Sequence, residues 1–201
     1  MGRLGRDPEL RYTASGSNFR NDMFMIPARF TSHMDVENRE VQVSPDLTLP
    51  VCLYLARSVG ELKLQSSDPR KQPFIDFNYL EDPFDRTRLR EGVRLCADLG
   101  SRKEISPLVD RRTAPSDDQL GSDEALDDWM KRSVRTSHHA AGTCKMGPQS
   151  DRMAVVDQRG RVHGIEGLRV ADASIMPSAI RANTHLTAVV VGERIADFIK
   201  Q

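Results

Sequence analysis

The 201-residue sequence lacks a surplus of either charge, a long apolar run and a dinucleotide-binding GxGxxG motif. Lysine plus arginine and aspartate plus glutamate each number 29, so no positive excess favours nucleic acid as a partner. The longest apolar run, 186–192, is far shorter than the roughly 20 residues of a membrane span. The stretch MGRLGRDPELRYTASG contains no apolar segment typical of a secretory signal. We therefore expect a cytoplasmic protein with no membrane span and no nucleic-acid ligand.

Cysteine is scarce, and its pattern does not indicate a disulfide or metal site. Cys52, Cys96 and Cys144 are widely spaced and odd in number, so neither a disulfide framework nor a CxxC site fits. A zinc site built from His138, His139, Cys144, His163 and His185 would have enough ligands but no recognised spacing. A nucleophilic pair of Cys144 and His139 lacks an evident third group to orient it. We therefore expect no metal.

Four strand-like stretches precede the first helical pattern. They span residues 23–30, 49–56, 60–65 and 74–79. Residues 61–65 alternate between polar and apolar side chains, as a strand with one wet face does. Successive strands without intervening helices predict an antiparallel sheet. The first twenty residues, which are rich in turn formers, are predicted to form a loop.

Two helices are predicted after these strands. The first spans 85–99, where apolar residues recur at helical spacing, and Gly100 stands where a helix stop belongs. The second spans about 123–131, with Ser122 as its N-cap. Residues 111–122 between them are predicted to be a polar linker. The expected fold class is α+β, an antiparallel sheet backed by helices.

The last third of the chain has a different character. The segment SHHAAGTCKMGP crowds small residues and histidines together, and a short strand is predicted over residues 168–171. A closing helix is predicted with Thr184 as its N-cap. This part of the chain is where we expect the chemistry.

Three of the five histidines, His138, His139 and His185, lie among Gly, Ala, Ser and Thr. Small neighbours permit the backbone to approach a planar ligand closely. An imidazole is the best proton acceptor at neutral pH, because its unperturbed pKa is about 6.5. Each histidine taken alone is more often structural than catalytic, so these residues by themselves leave both roles open. His33 and His163 are interpreted as surface or loop residues.

Three blocks occur in order: HHAAGTCKMG, AVVDQRGRVHGIEGLRVADASIMP and NTHLTAVVVGERIADFI. Together they resemble the C-terminal signature of the glucose–methanol–choline (GMC) oxidoreductase family, over residues 137–199. Upstream, GELKLQSSDPRKQPFIDFNYLEDPFDRTRLREGVRL resembles the substrate region of the same family. The stretches GTCKMGP and RANT resemble the subgroup associated with the redox peptide mycofactocin. The resemblance, which is to choline dehydrogenase-like members, implies FAD-dependent oxidation of a small-molecule alcohol.

The resemblance also implies roles for individual residues. His139, which precedes Ala-Ala-Gly-Thr-Cys, matches the catalytic base, and His185 matches the second catalytic position, which is His or Asn in the family. His138 is the weaker candidate for the base. The implied flavin contacts are Asp172, Ala173, Asn183, Leu186 and Thr187.

A domain division follows from the same resemblance. Residues 1–136 would form part of the substrate-binding domain, and 137–201 would supply the catalytic segment together with the strand and helix that end an incomplete FAD-binding domain. Because the family's ADP-binding Rossmann part is absent from this chain, we expect it in a missing N-terminal half or a second chain. The isolated chain is then expected to be an inactive fragment whose closing helix leaves apolar surface exposed or buried against another chain. The apolar face of that helix includes Leu186, Val189, Val190 and Ile199.

Two alternatives remain open. A related branch of the family cleaves hydroxynitriles with FAD bound but not reduced, so the chain could come from a lyase. It could also be a non-catalytic remnant that serves as a binding or assembly module. Within the leading hypothesis, the electron acceptor is either oxygen or another molecule, and the identity of the alcohol is open.

Overall fold

A computed structural model of the chain describes the backbone of residues 11–12, 18–19, 22–35 and 40–201, and the side chains of 22–28 and 46–201. The described part combines short antiparallel strand pairs with four helices, which confirms the predicted α+β class. None of the helices in the described part is long and apolar enough to cross a membrane.

Eight strands are present in the described residues. They are β1 (Arg11–Tyr12), β2 (Asn18–Phe19), β3 (Met23–Met25), β4 (Ala28–Asp35), β5 (Glu40–Thr48), β6 (Val51–Leu53), β7 (Glu61–Lys63) and β8 (Phe74–Asp76). All four pairs, β1 with β2, β3 with β6, β4 with β5 and β7 with β8, are antiparallel. The predicted sheet is therefore present as four two-stranded ladders.

Each predicted strand-like stretch contains a strand, but the bounds of the strands differ from the predicted ones. The stretch 23–30 is two strands rather than one, because the chain leaves the β3 ladder at Ile26 and Pro27, and proline has no N–H to donate. The prediction of a loop over the first twenty residues is wrong at β1 and β2; the other residues of that stretch lie outside the described part. His33 lies in β4, not in a loop.

The first helix, α1 (Pro83–Ser101), begins where the Asp82 carboxylate accepts a hydrogen bond from the Phe84 amide, an N-cap that proline at the first helical position accommodates. The helix continues through Gly100, so the prediction that Gly100 stops it is wrong. The helix packs closely on β6 at Gly92, where an added Cβ would lie 2.6 Å from Cγ1 of Val51. This contact fixes the strand that leads to Tyr54.

Two further helices follow. α2 (Asp117–Gly121) lies in the predicted polar linker and begins with a capping box in which Ser116 and Gln119 cap each other's backbone amides. α3 (Asp123–Ser133) confirms the second predicted helix and its Ser122 N-cap. Leu80, Leu126 and Met130 form a buried core against which α1 and α3 pack.

The C-terminal segment has its own core. Val156, Ile175 and Ile195 are buried together, and Ile195 belongs to α4 (His185–Lys200), which confirms the predicted closing helix. The strand predicted over 168–171 is wrong, because Arg169 makes only an isolated bridge to Arg161. Positive φ angles at three nearby glycines turn the chain too often for a strand to extend. These are Gly160, Gly164 and Gly167.

One face of α4 carries apolar side chains that the described residues do not cover. Leu186 is 76% exposed and Val190 is 65% exposed, whereas Ile195 on the opposite face is 3% exposed. Val189 is exposed on the same face as Leu186, and Ile199 is exposed one turn after Ile195, near the end of the helix. The exposed apolar surface that the sequence predicted on this helix is therefore present.

Candidate functional site

The loop that carries His139 is anchored to the turn that contains Ala173. The amides of Gly142, Cys144 and Met146 donate hydrogen bonds to the carbonyls of residues 173, 174 and 175, at 3.3, 2.9 and 2.8 Å. Gly142 has φ of +86°, a conformation that glycine adopts without strain. The loop is therefore held along its length, and His139 lies just before its first anchor.

His139 contacts the residue immediately before His185. Its Nδ1 lies 3.1 Å from the Thr184 hydroxyl and accepts a longer, 3.4 Å hydrogen bond from the Thr184 amide. The structure thus brings His139 into contact with Thr184, 45 positions later in the sequence, which immediately precedes His185. In the described part of the chain, no hydrogen-bond partner lies at Nε2 of His139, so that nitrogen is the one available for chemistry.

Tyr54 links the strand region to the same site. Its hydroxyl donates a 2.5 Å hydrogen bond to Oδ1 of Asn183, and its ring centroid lies 6.5 Å from that of His139. Burial, and to a lesser extent the neighbouring Cys52, raise the pKa of the Tyr54 hydroxyl. Tyr54 therefore remains a hydrogen-bond donor at neutral pH and holds the Asn183 side chain in one orientation.

A pocket of about 540 Å³ opens beside these residues, and we call it the α4 pocket. It is lined by Met23, Phe24, Tyr54, Arg181, Ala182, Asn183, His185 and Leu186. His185 therefore reaches the pocket directly. His139 is not part of the lining and is connected to it through Thr184 and Tyr54.

The residues predicted to contact a flavin fall into two places. Asn183 and Leu186 line the α4 pocket, and Thr187 lies in the first turn of α4. Asp172 and Ala173 lie at the turn that anchors the His139 loop. The Asp172 carboxylate accepts a 2.7 Å hydrogen bond from the Ser174 amide, and hydrogen bonding to Ser174 holds the pKa of Asp172 below its usual range.

The first turn of α4 provides unpaired backbone donors. Thr184 occupies the N-cap position, as predicted, but its side chain does not cap the helix. No acceptor within the described residues takes the amides of His185, Leu186 or Thr187. Such amides, together with the helix dipole, favour negative charge at this end of the helix.

The remaining candidates lie away from this arrangement. His138 is exposed and has φ of +63°, and its amide bonds to the Thr136 hydroxyl. The His163 ring contacts the Gly147 carbonyl at 3.0 Å, beside a separate pocket of about 560 Å³. Among the described residues, no three His, Cys, Asp or Glu side chains are grouped to hold a metal ion.

Sequence reasoning missed Tyr54 and Arg181, and it assigned only a helix-capping role to Thr184. No local pattern marks Tyr54, which lies 129 residues from its partner Asn183. Thr184 and Arg181 are close in sequence to His185, so proximity to a candidate catalytic residue was the one available signal.

The family match covers the predicted site residues but not Met23, Phe24 or Tyr54 of the α4 pocket. Residues 56–192 match the family model described as GMC oxidoreductase, a range that includes every predicted site residue. An oxygen-dependent choline dehydrogenase from Cronobacter sakazakii is 42% identical over 143 residues, which cover 71% of this chain and 25% of that protein. One from Escherichia coli O139:H28 is 40% identical over the same length, with the same coverage.

Solved structures resemble the chain in the same way. Pyridoxine 4-oxidase from Mesorbium loti has a TM-score of 0.66 and 29% identity, over 75% of this chain and 29% of that one. Formate oxidase from Aspergillus oryzae RIB40, studied for its FAD modification, has a TM-score of 0.69 and 34% identity, over 77% and 27%. The chain spans about a quarter of the length of the curated relatives it matches. It belongs to the GMC oxidoreductase family.

Proposed function

We propose that this chain supplies part of the site at which an FAD-dependent enzyme oxidises the CH–OH group of an alcohol. His139 is the general base and His185 holds the substrate oxygen. The observation that carries the proposal is the contact of His139 Nδ1 with the residue just before His185, which leaves Nε2 without a partner among the described residues, together with the pocket that His185 lines. The names of the similar proteins, choline dehydrogenases and oxidases of pyridoxine and formate, support this reaction class.

For His139 to act as a base, the neutral ring must carry its hydrogen on Nδ1 and leave the lone pair on Nε2. The Thr184 hydroxyl, 3.1 Å from Nδ1, can accept that hydrogen. The Thr184 amide can only donate and favours the opposite tautomer, but at 3.4 Å it is the longer contact. The hydroxyl, which can either donate or accept, allows the base-competent ring, in which the amide contact is given up. It still accepts from Nδ1 after Nε2 has taken the substrate's hydroxyl proton.

His185 and the bond between Tyr54 and Asn183 position the alcohol. His185 stands at the first position of α4 and lines the pocket, where its ring can hold the oxygen that loses a proton to His139. Tyr54 fixes the Asn183 side chain in the same wall. Fixed groups of this kind lower the entropic cost of orienting the substrate.

The residues present fit a flavin. FAD, when bound, supplies the acceptor for the hydride that leaves the carbinol carbon as the O–H proton is removed. We assign contacts with it to Asp172, Ala173, Asn183, Leu186 and Thr187. The unpaired amides in the first turn of α4 suit a group that gains negative charge.

We assign residues 1–136 to the substrate side of the site and 137–201 to the catalytic and cofactor side. The dinucleotide-binding part is then supplied by residues outside this sequence or by a second chain. The isolated chain should bind FAD weakly or not at all and oxidise no alcohol. Titration of the purified chain with FAD, followed by flavin fluorescence, tests this; tight stoichiometric binding would contradict it.

The reaction itself is tested in the FAD-loaded protein that includes the dinucleotide-binding part. Mixed with an alcohol without oxygen, the protein should lose its oxidised-flavin absorbance, and His139→Gln should slow that loss about 10²–10⁴-fold. A flavin that stays oxidised while a hydroxynitrile is cleaved would identify the lyase alternative. An unchanged rate in His139→Gln would favour the non-catalytic remnant.

A further inference from the structure

The α4 pocket has one permanently charged side chain in its wall. Arg181 lines it, and no aspartate or glutamate is among the lining residues. Within the described part of the chain, Arg181 forms no ion pair or hydrogen bond, whereas Arg88, Arg90 and Arg161 each pair with a carboxylate. A guanidinium remains protonated at all accessible pH values. Arg181 is exposed, and it gives the pocket wall a positive charge that no group in the described part of the chain neutralises.

A second feature adds to this charge. α4 begins at His185 in the same wall, and its first amides lack a side-chain cap. The N-terminus of a helix carries roughly half a positive charge. The proposed function assigns these amides to the flavin, so Arg181 is the group that favours an anionic substrate and opposes a cationic one.

The rest of the wall is apolar and aromatic. Met23, Phe24 and Leu186 supply apolar surface, and the Phe24 ring lies 6.2 Å from that of Tyr54. An aromatic pair alone would also suit a quaternary ammonium group. Here Arg181 occupies the same pocket, and no carboxylate offsets the repulsion that a second cation would meet.

We propose that the alcohol oxidised in this pocket carries a carboxylate that pairs with Arg181, on a body apolar enough for the remaining wall. This inference rests on the proposed function above. A guanidinium and a carboxylate form two parallel hydrogen bonds, so Arg181 orients the substrate as well as attracting it. The same charge disfavours a cationic amino alcohol such as choline.

Three small molecules test the inference as ligands of the purified chain: 4-(hydroxymethyl)benzoate, benzyl alcohol and choline. Each is titrated into isotope-labelled protein. Binding is followed by NMR through the signals of the backbone and of the arginine and asparagine side chains. We expect the benzoate to bind at least about tenfold more tightly than the other two, with shifts at Arg181 and Asn183. Arg181→Gln should remove the preference for the benzoate. Arg181→Lys keeps the charge but cannot form the two parallel hydrogen bonds, so it should retain part of the preference.

Several results would overturn the inference. These are equal binding of the three probes, tighter binding of choline, no binding of the benzoate at millimolar concentration, or a preference unchanged by Arg181→Gln in a variant whose spectrum shows the wild-type fold. Binding is measured without turnover, so its outcome is separate from that of the proposed reaction. Anion binding through Arg181 without alcohol oxidation in the FAD-loaded protein would contradict the proposed function alone. Oxidation with a preference for choline would contradict only this inference.

Discussion

The contact between Thr184 and His139 makes the sharpest prediction. Replacing Thr184 with valine keeps the shape of the side chain and removes the hydroxyl that lies 3.1 Å from Nδ1. The amide of residue 184, a donor, then becomes the one described group at Nδ1. A ring that faces a donor must use Nδ1 as its acceptor, so the hydrogen moves to Nε2 and the base is lost.

The size of the effect follows from one lost acceptor. In the valine variant, the N–H of the Nδ1–H tautomer has no acceptor among the described residues, at a cost of about 1–3 kcal/mol. This cost corresponds to roughly a 5- to 150-fold smaller base-competent fraction. Because His139 and Thr184 are only half-buried, water can hydrogen-bond to this N–H in part, and we expect the lower part of this range, about 5- to 30-fold.

Two measurements check this prediction. The rate of flavin reduction by an alcohol, without oxygen, should fall by that factor in Thr184→Val, while Thr184→Ser, which retains the hydroxyl, should stay within about threefold of the wild type. Nitrogen-15 NMR of histidine-labelled chain should show the hydrogen on Nδ1 of His139 in the wild type and on Nε2 in Thr184→Val. A wild-type ring that already carries its hydrogen on Nε2, or a valine variant with the wild-type rate, would refute the reasoning.

Three further predictions concern stability. Asp85 is 2% exposed and accepts three hydrogen bonds from two backbone amides, so Asp85→Ala should lower the free energy of unfolding in urea by about 2 kcal/mol; no change would contradict this. On α4, Ile195→Ala should cost about 2–4 kcal/mol, whereas Val190→Ala should stay within about 0.5 kcal/mol of the wild type, and equal effects would refute the packing described here. Because the folded state lowers the pKa of Asp172, the ionised carboxylate stabilises the fold at neutral pH, and this stabilisation is lost on acidification. The difference in Tm between the wild type and Asp172→Asn should therefore shrink below about pH 4. A difference that stays constant with pH would contradict this.

Local signals predicted three of the four α-helices, and the prediction of a polar linker over 111–122 is wrong at α2. The spacing of apolar residues and the Ser122 cap defined α3, and the same reasoning placed the start of α4 at Thr184. Helix formation depends mainly on neighbours within four residues, so a single sequence contains most of the information. Gly100 was misjudged because glycine ends a helix only where the chain adopts a left-handed turn, and here it stays helical.

The sequence predicted only those site residues that lie within a recognisable family motif. His139 and His185 were selected from their sequence context, which resembles the family's. Tyr54 could not be selected, because its contact with Asn183 depends on how a strand region and a distant helix meet. The Thr184 hydroxyl contacts the ring of His139, 45 positions earlier, and does not cap its own helix. This contact is also long-range. Long-range packing of this kind is not encoded in any local pattern.

The bond between Tyr54 and Asn183 has a consequence for biosynthesis. It joins residues 129 positions apart, and the last helix of the chain follows directly after its second partner. The two walls of the α4 pocket cannot meet on a nascent polypeptide until the ribosome has released the segment beyond residue 183. A ligand that recognises both walls would therefore bind only molecules in which both segments have left the ribosome.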